Sequence, residues 1–259
     1  MRIAIDLQGL QNKGNSIRGI GRYVDSFINS LITNYPEHQY FLIANGYLPD
    51  IKKLFLDYLN NEYLNVFYSK WYVPEFSETL IKEKNIHSAI LEELHTYAFS
   101  RLNSDVILCT SFFDGFADDC VVTFNKEYSL PPILTIFYDL IPLVYQNEYL
   151  EVNDEFKEFY LSRLDRINEL DGLLCISSSS MEEAYKLLNI NKKKIFNISS
   201  ACDRNIFNLE KNDSFNISYE LPDKYILYTG AADPRKNLIG LIKAYCKLDL
   251  SLKTKYKLV

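Results

Sequence analysis

The sequence has no broad tract of clustered positive charge, no paired-cysteine motif and no apolar run long enough to cross a bilayer. Its 28 Lys and Arg against 34 Asp and Glu leave a net charge of −6. A surface that tracks phosphates needs concentrated cations, so nucleic-acid binding is excluded as a main role. The one dense basic run, Lys192-Lys193-Lys194, reads as a solvated helix end or turn. The five cysteines, Cys109, Cys120, Cys175, Cys202 and Cys246, are widely spaced and form no C-x-x-C pair. That excludes a disulfide framework and a zinc site and predicts buried free thiols. In the most apolar window, Pro131 to Tyr145, Asp139 and Pro142 interrupt the run, which falls short of the ~20 apolar residues of a membrane helix. Asp6 breaks the first apolar stretch too early for a signal-peptide core, so a soluble, cytoplasmic chain is expected. D-x-D and G-x-S-x-G are also missing, which removes a metal-nucleotide clamp of that type and serine-hydrolase chemistry.

What is present describes a folded α/β protein. Hydrophobic residues make up 47% of the 259 and charged residues 24%, an ordinary globular balance. Short β-branched or aromatic runs alternate with stretches of helical period, the pattern of β-α-β units on a parallel sheet. Strands are expected near 2–6, 40–44, 65–68, 106–109, 133–138, 172–176 and 195–199. After the first strand, Tyr23, Phe27, Ile28 and Leu31 mark an amphipathic helix that stops at Asn34-Tyr35-Pro36. A second long helix is expected over 77–101. Ser179 or Ser180, with an acid three residues on, predicts a capping box opening a helix to about Leu188. Polar, aperiodic sequence over 203–222 reads as a linker between a domain at 1–202 and a new unit at 223–259. That unit comprises the strand Tyr225 to Tyr228, a turn at 229–234, an amphipathic helix from Lys236 to Lys247 and the opening of a further strand at Tyr256.

Three stretches carry possible chemistry. The loop after the first strand holds Gly9, Gly14, Gly19 and Gly21 at the start of a helix, where free N–H groups favour an anion. Asn15 stands where a nucleoside-triphosphatase loop needs Lys. Val24 and Asn45 replace the third glycine and the acid of a dinucleotide site, which disfavours an NAD enzyme. The length of the loop suits a flexible, substrate-covering element. Glu92-x-x-His95 is half of a di-metal motif with no second copy, so it reads as an exposed polar face, and no metal site is expected. Asp118-Asp119 reads as a solvated loop. Tyr138 and Asp139 end a buried strand, where open α/β sheets bind ligands; a packed Tyr138 and a turn-capping Asp139 fit equally well. Finally, Arg235 and Lys236 place two adjacent cations at a helix N-terminus, an arrangement that a diphosphate would relieve.

Asp6-Leu7-Gln8-Gly9 with Arg18-Gly19-Ile20-Gly21-Arg22-Tyr23, then Tyr138-Asp139-Leu140-Ile141-Pro142-Leu143, Cys175 to Ser180, and Leu227 to Gly230 with Arg235-Lys236-Asn237-Leu238 together resemble the family 4 glycosyltransferases. The bacterial branch that builds O-antigen and capsule polysaccharides, often mannosyltransferases, is the most similar. The resemblance implies the GT-B architecture, with an N-terminal Rossmann-like domain for the acceptor and a second such domain, here its first β-α unit, for the nucleotide sugar. It implies a retaining hexosyl transfer, with mannose the candidate hexose, from a GDP- or UDP-linked donor to a growing polysaccharide or lipid-linked saccharide. No cofactor is implied, and the setting would be cytoplasmic, with peripheral contact at the inner face of the membrane. Gly19 and Gly21 would lie near the donor phosphates with Arg235 and Lys236, and Arg18 and Arg22 would flank the acceptor-side loop. Tyr138 stands where many members carry His, and Ala231 where many carry Arg, so Tyr138 and Asp139 are left as the catalytic candidates. The family's E-x7-E segment lies beyond residue 259. The expectation is therefore a chain cut short in its donor domain and inactive in isolation; the alternative is a noncatalytic remnant or partner subunit of such an enzyme.

Overall fold

A computed structural model describes residues 1–16, 18–72, 84–201, 221–230 and 233–259. The chain divides into two compact units, one within 1–206 and one within 207–259. The first is built on seven strands: β1 (Arg2–Asp6), β2 (Gln39–Asn45), β3 (Asn65–Trp71), β4 (Val106–Cys109), β5 (Ile133–Phe137), β6 (Gly172–Cys175) and β7 (Ile195–Asn197). They form one parallel sheet in the order β3-β2-β1-β4-β5-β6-β7. Its helices are α1 (Gln8–Gln11), α2 (Lys13–Ser16), α3 (Gly19–Asn34), α4 (Leu56–Leu59), α5 (Lys84–Ser100), α6 (Ile141–Val144), α7 (Gln146–Tyr149), α8 (Asp154–Arg166) and α9 (Ser178–Leu187). This is a Rossmann-like α/β unit, as the alternating pattern predicts.

The inner strands β1, β4, β5 and β6 read as apolar runs because both faces of the sheet are buried there. Ile3 and Ile5 of β1 and Tyr40, Leu42 and Ala44 of β2 cluster with Val24, Ile28 and Ile32 of α3. Ala4 and Ile43 point the other way and cluster with Phe99 of α5 and Ala184 of α9. Thus the β1 to β2 crossover lies on one face, while those from β3 to β4 and from β6 to β7 lie on the other. The direction of strand addition reverses between β1 and β4, which makes their carboxyl ends the ligand-binding crevice of such a sheet.

Two local details differ from the sequence reading. The buried ridge of α3 is Val24, Ile28 and Ile32, with Tyr23, Phe27 and Leu31 only partly buried beside it, because the apolar stripe is broad. The α9 capping box is formed by Ser177 and Ser180, each side-chain oxygen accepting from the other's backbone N–H at 3.0 and 3.1 Å. Of the long helix expected from Ser77, residues 77–83 lie outside the described residues, as do Cys202 and most of the 203–222 linker.

At the opposite, amino-terminal edge two aspartates clasp neighbouring strands. Asp105 N–H donates to Arg2 O at 2.8 Å while its carboxylate accepts from Arg2 N–H at 2.7 Å. Asp171 repeats the arrangement on Ile133, at 2.8 and 2.9 Å.

The second unit is a β-α-β element. β8 (Tyr225–Ile226) pairs in parallel with β9 (Lys257–Leu258), and α10 (Leu238–Cys246) and α11 (Leu250–Lys255) connect them. Cys109, Cys120 and Cys175 are buried thiols, but Cys246 is exposed, because α10 has no buried residue. Among the described residues, no helix is long and apolar enough to cross a membrane.

Candidate functional site

The carboxyl end of β1 opens into a buried polar network. Asp6, 1% exposed, accepts hydrogen bonds from Gln8 N–H (3.1 Å) and Gln8 Nε2 (3.0 Å). Gln8 in turn pairs with both backbone groups of Val121, at 2.6 and 2.8 Å, and its Oε1 accepts from Asn45 Nδ2 at 3.0 Å. Gln11 donates to Asn45 O and Pro49 O and accepts from Asn45 N–H. Gly9 presses on the end of β4: its N–H lies 3.2 Å from Thr110 Oγ1, and a Cβ there would come within 2.7 Å of the same atom. The β1–α3 connection over Gln8 to Asn12 is therefore a fixed polar plug, not the flexible cover its length suggested, because its amides are bonded to two neighbouring strand ends.

His95 completes this network. Its ring is fully buried, with Nε2 3.3 Å from Asp6 Oδ2 and Nδ1 3.0 Å from Thr123 O, among Trp71, Phe99 and Phe124. Glu92 receives the Arg166 guanidinium through two bonds of 2.6 and 2.8 Å and the Thr123 hydroxyl at 2.9 Å. Burial pushes the Glu92 carboxyl up, but the Arg166 bonds and charge outweigh it and hold it below its ordinary value. The exposed polar face read into Glu92-x-x-His95 is thus corrected: both side chains bond to groups far away in sequence. Among the described residues, no group of three His, Cys, Asp or Glu is placed to hold a metal ion.

Outside the plug, the loop after β4 meets the loop after α1. Asn12 Nδ2 donates to Asp118 at 2.7 Å, and Asn15 Nδ2 lies 2.9 Å from each carboxylate oxygen of Asp114. Asp118 is thereby part of a bridge rather than merely solvated. Burial pushes the Asp114 carboxyl up to about 6; bonds from Ser111, Asn15 and Asn12 oppose the rise and the Asp118 charge adds to it. The turn past Asp114 requires Gly115, whose φ is +106° and whose Cβ would come within 2.6 Å of Cys120 O. Arg163 of α8 approaches the Asp114 carbonyl at 3.5 Å and lies over the Phe159 ring. Tyr138, at the end of β5, donates to Thr110 O at 3.0 Å and meets Tyr23 of α3 edge-on, ring centroids 6.0 Å apart. Burial first, then the Asp114 charge, pushes the Tyr138 phenol up. Tyr23 donates to Ser199 O at 2.8 Å, past the end of β7.

The expected residues are distributed around this cluster. Arg18, Gly19 and Arg22 are exposed on and before the first turn of α3, and a Cβ on Gly19 would meet nothing within 4 Å. Gly21 is buried: a Cβ there would lie 2.5 Å from Asn15 O and 2.7 Å from Ser16 Cα, so its bareness is used up by packing against α2. Tyr138 joins the cluster, while Asp139 accepts from Ile141 N–H at 3.0 Å in the turn beyond it. In the second unit, Lys236 ends a short turn rather than opening the helix. Asn237, with φ +50°, is the N-cap and its side chain accepts from Gly240 N–H at 3.1 Å. Arg235 pairs with Asp233 at 3.1 Å, so part of the anion that the two cations seemed to require is already in the chain. The Lys236 ammonium lies over Gly230, 3.2 Å from where a Cβ would be, at the end of β8. Ala231 lies outside the described residues. Sequence reasoning missed Asp114, Asn12 and Asn15; the strand-end rule, applied to β4 as it was to β5, leads only as far as the loop that holds Asp114. A separate cavity of about 200 Å³ near Phe112, Phe124 and Tyr128 opens beside Ile133 at the start of β5, away from this crevice, and its rim charges Lys126 and Glu169 already pair at 2.8 Å.

No family profile matches the chain. A serotype-specific mannosyltransferase, WbdA, of Escherichia coli is 30% identical over 100% of this chain and 31% of its own length. A second WbdA of Escherichia coli is 28% identical over 89% of this chain and 29% of its own. The O-antigen chain mannosyltransferase B of Escherichia coli is 26% identical over 52% of this chain and 36% of its own. A solved glycosyltransferase from Rickettsia africae superposes with a TM-score of 0.44 at 12% identity, covering 100% of this chain and 67% of that one, a likeness too distant to argue from. The chain spans about a third of the length of the curated relatives it matches. Over its whole length, then, the chain is similar to about a third of a bacterial mannosyltransferase.

Proposed function

We propose that the protein serves retaining transfer of a hexose, mannose first among candidates, from a GDP- or UDP-linked donor to a polysaccharide or lipid-linked saccharide acceptor. The first unit, residues 1–202, takes the acceptor; residues 223–259 contribute to the donor side, and 203–222 link the two. The nucleotide sugar is a substrate, and no resident cofactor takes part. The setting is the cytoplasm, with peripheral contact at the inner membrane face. One observation carries this reading: Asp114, Asn15, Tyr23 and Tyr138 converge at the crevice of the sheet. Planar polar groups beside aromatic rings suit a sugar, whose hydroxyls need directed partners and whose C–H faces lie against rings.

On the donor side, charge develops on the departing diphosphate as the sugar C1–O bond breaks, and fixed cations stabilise it. Lys236 is the better placed of the pair, since Arg235 is engaged by Asp233. Gly19 and the first turn of α3, flanked by Arg18 and Arg22, offer free N–H groups to a phosphate. Tyr138 and Asp139 remain the candidates near the reacting atoms.

The test is calorimetric titration of the 259-residue chain with GDP-mannose, UDP-hexoses and methyl α-D-mannopyranoside, followed by mass analysis for a product one hexose heavier. Binding of a nucleotide sugar and of the mannoside is expected. Binding of both without product would favour the noncatalytic partner subunit; binding of neither would overturn the proposal.

A further inference from the structure

We propose that Asp114 is the group that binds a hydroxyl of the saccharide acceptor, its carboxylate taking the hydroxyl's hydrogen while Asn15 holds it in place. This rests on the acceptor reading of the first unit. Asp114 follows β4 at the point where strand order reverses, so its backbone is where such sheets receive ligands. Asn15 Nδ2 sits 2.9 Å from both oxygens and fixes the plane of the carboxylate, which Ser111 and Asn12 also support.

The charges facing Asp114 are of both signs. Arg163 lies 3.5 Å from its backbone carbonyl and attracts its charge. Asp118 is a like charge, and Tyr138, Cys109 and Cys120 add no positive charge. The carboxyl is held against both burial and a neighbouring acid, its value pushed up to about 6, as groups at binding sites are. The aromatic edge pair Tyr23 and Tyr138 stands beside it, with Tyr138 near enough to feel its charge. A staple between two loops needs hydrogen bonds alone, of which an amide at position 114 keeps one from Asn15, whereas a hydroxyl-binding role also needs the charge.

That difference is the test. Asp114→Asn keeps a side chain that can pair with Asn15 but removes the charged acceptor. Methyl α-D-mannopyranoside and an α-linked mannobiose would be titrated into the wild-type chain and Asp114→Asn, followed by saturation-transfer NMR at pH 7.5 and pH 5.0. Wild type is expected to bind, with affinity falling from pH 7.5 to pH 5.0 as the carboxyl takes up a proton. Asp114→Asn should bind at least about tenfold more weakly at pH 7.5 and show no such pH dependence. Equal binding by wild type and Asp114→Asn would overturn the role of Asp114 while leaving the acceptor reading standing. A wild type that binds the mannoside equally at both pH values would also overturn it, without requiring the variant. No saccharide binding by wild type at any pH would overturn the acceptor reading itself.

Discussion

Replacing His95 with Leu should cost the first unit about 2 to 6 kcal/mol. Nδ1 of His95 faces Thr123 O, which can only accept, and Nε2 faces Asp6 Oδ2, which also takes the Gln8 amide. Both residues are at most 1% exposed. Leucine fills the space among Trp71, Phe99 and Phe124 but leaves Asp6 Oδ2 and Thr123 O each short of a partner. Stranding a buried polar group costs about 1 to 3 kcal/mol, so the two together cost about 2 to 6 kcal/mol. For a unit of this size the melting temperature should fall by roughly 4 to 20 °C. The chain's one tryptophan, Trp71, has its ring 5.3 Å from that of His95, so its fluorescence reports this unit alone during urea unfolding. Asp6→Asn combined with His95→Leu should be less damaging than the sum of the two, by about 1 to 3 kcal/mol. A loss below about 1.5 kcal/mol in His95→Leu, or strict additivity in the double variant, would refute the reasoning.

Three further outcomes are expected. Gly21→Ala should destabilise by about 1 to 3 kcal/mol because its methyl meets the backbone of Asn15 and Ser16, whereas Gly19→Ala should be neutral or slightly stabilising; equal urea midpoints would refute the packing argument. Asp114 is raised from its ordinary 3.8 to about 6, so the unfolded chain ionises first and this residue's contribution, whole below pH 3.8, is lost as pH rises through about 6. Compared with wild type, Asp114→Asn should gain up to about 3 kcal/mol between pH 4 and pH 7.5, and a constant difference in Trp71-monitored stability would contradict it. Lys236→Ala should weaken GDP binding roughly 10- to 100-fold with less than about 0.5 kcal/mol change in stability; unchanged GDP affinity, with Arg235→Ala titrated alongside, would remove Lys236 from the donor side.

The sheet was legible because its inner strands, buried on both faces, leave apolar runs, while the edge strands β3 and β7, half-exposed, showed through short β-branched or aromatic runs. Elements held together by distant partners were not. His95 looks like any polar residue on a helix until Asp6, 89 positions earlier, is brought beside it. The cap of α9 moved to Ser177 because four consecutive serines offer several registers and only the backbone conformation, extended at Ser177, selects one. Around Lys236, charge counting overlooked a partner two residues away: Asp233 was in plain view, but its bond to Arg235 depends on the tightness of the turn. At the crevice, Tyr138 was found by its strand end, while Asp114 lay five residues past β4 in a loop with no periodicity to mark it.

The two aspartate clasps separate the duties of the two edges of the sheet. Because successive side chains point to opposite faces, a slip of one residue in β4 would exchange Leu108 for Ile107 and Cys109 against α3. Asp105 forbids that slip, and Asp171 the corresponding slip of β6 on β5, each by adding one rung to the ladder before its strand begins. About 17 Å away, across a five-residue strand, the far edge is thereby relieved of setting the alignment. Residues there can be kept for what they recognise, even an acid that its surroundings would rather see neutral, since the alignment they inherit is anchored at the other edge.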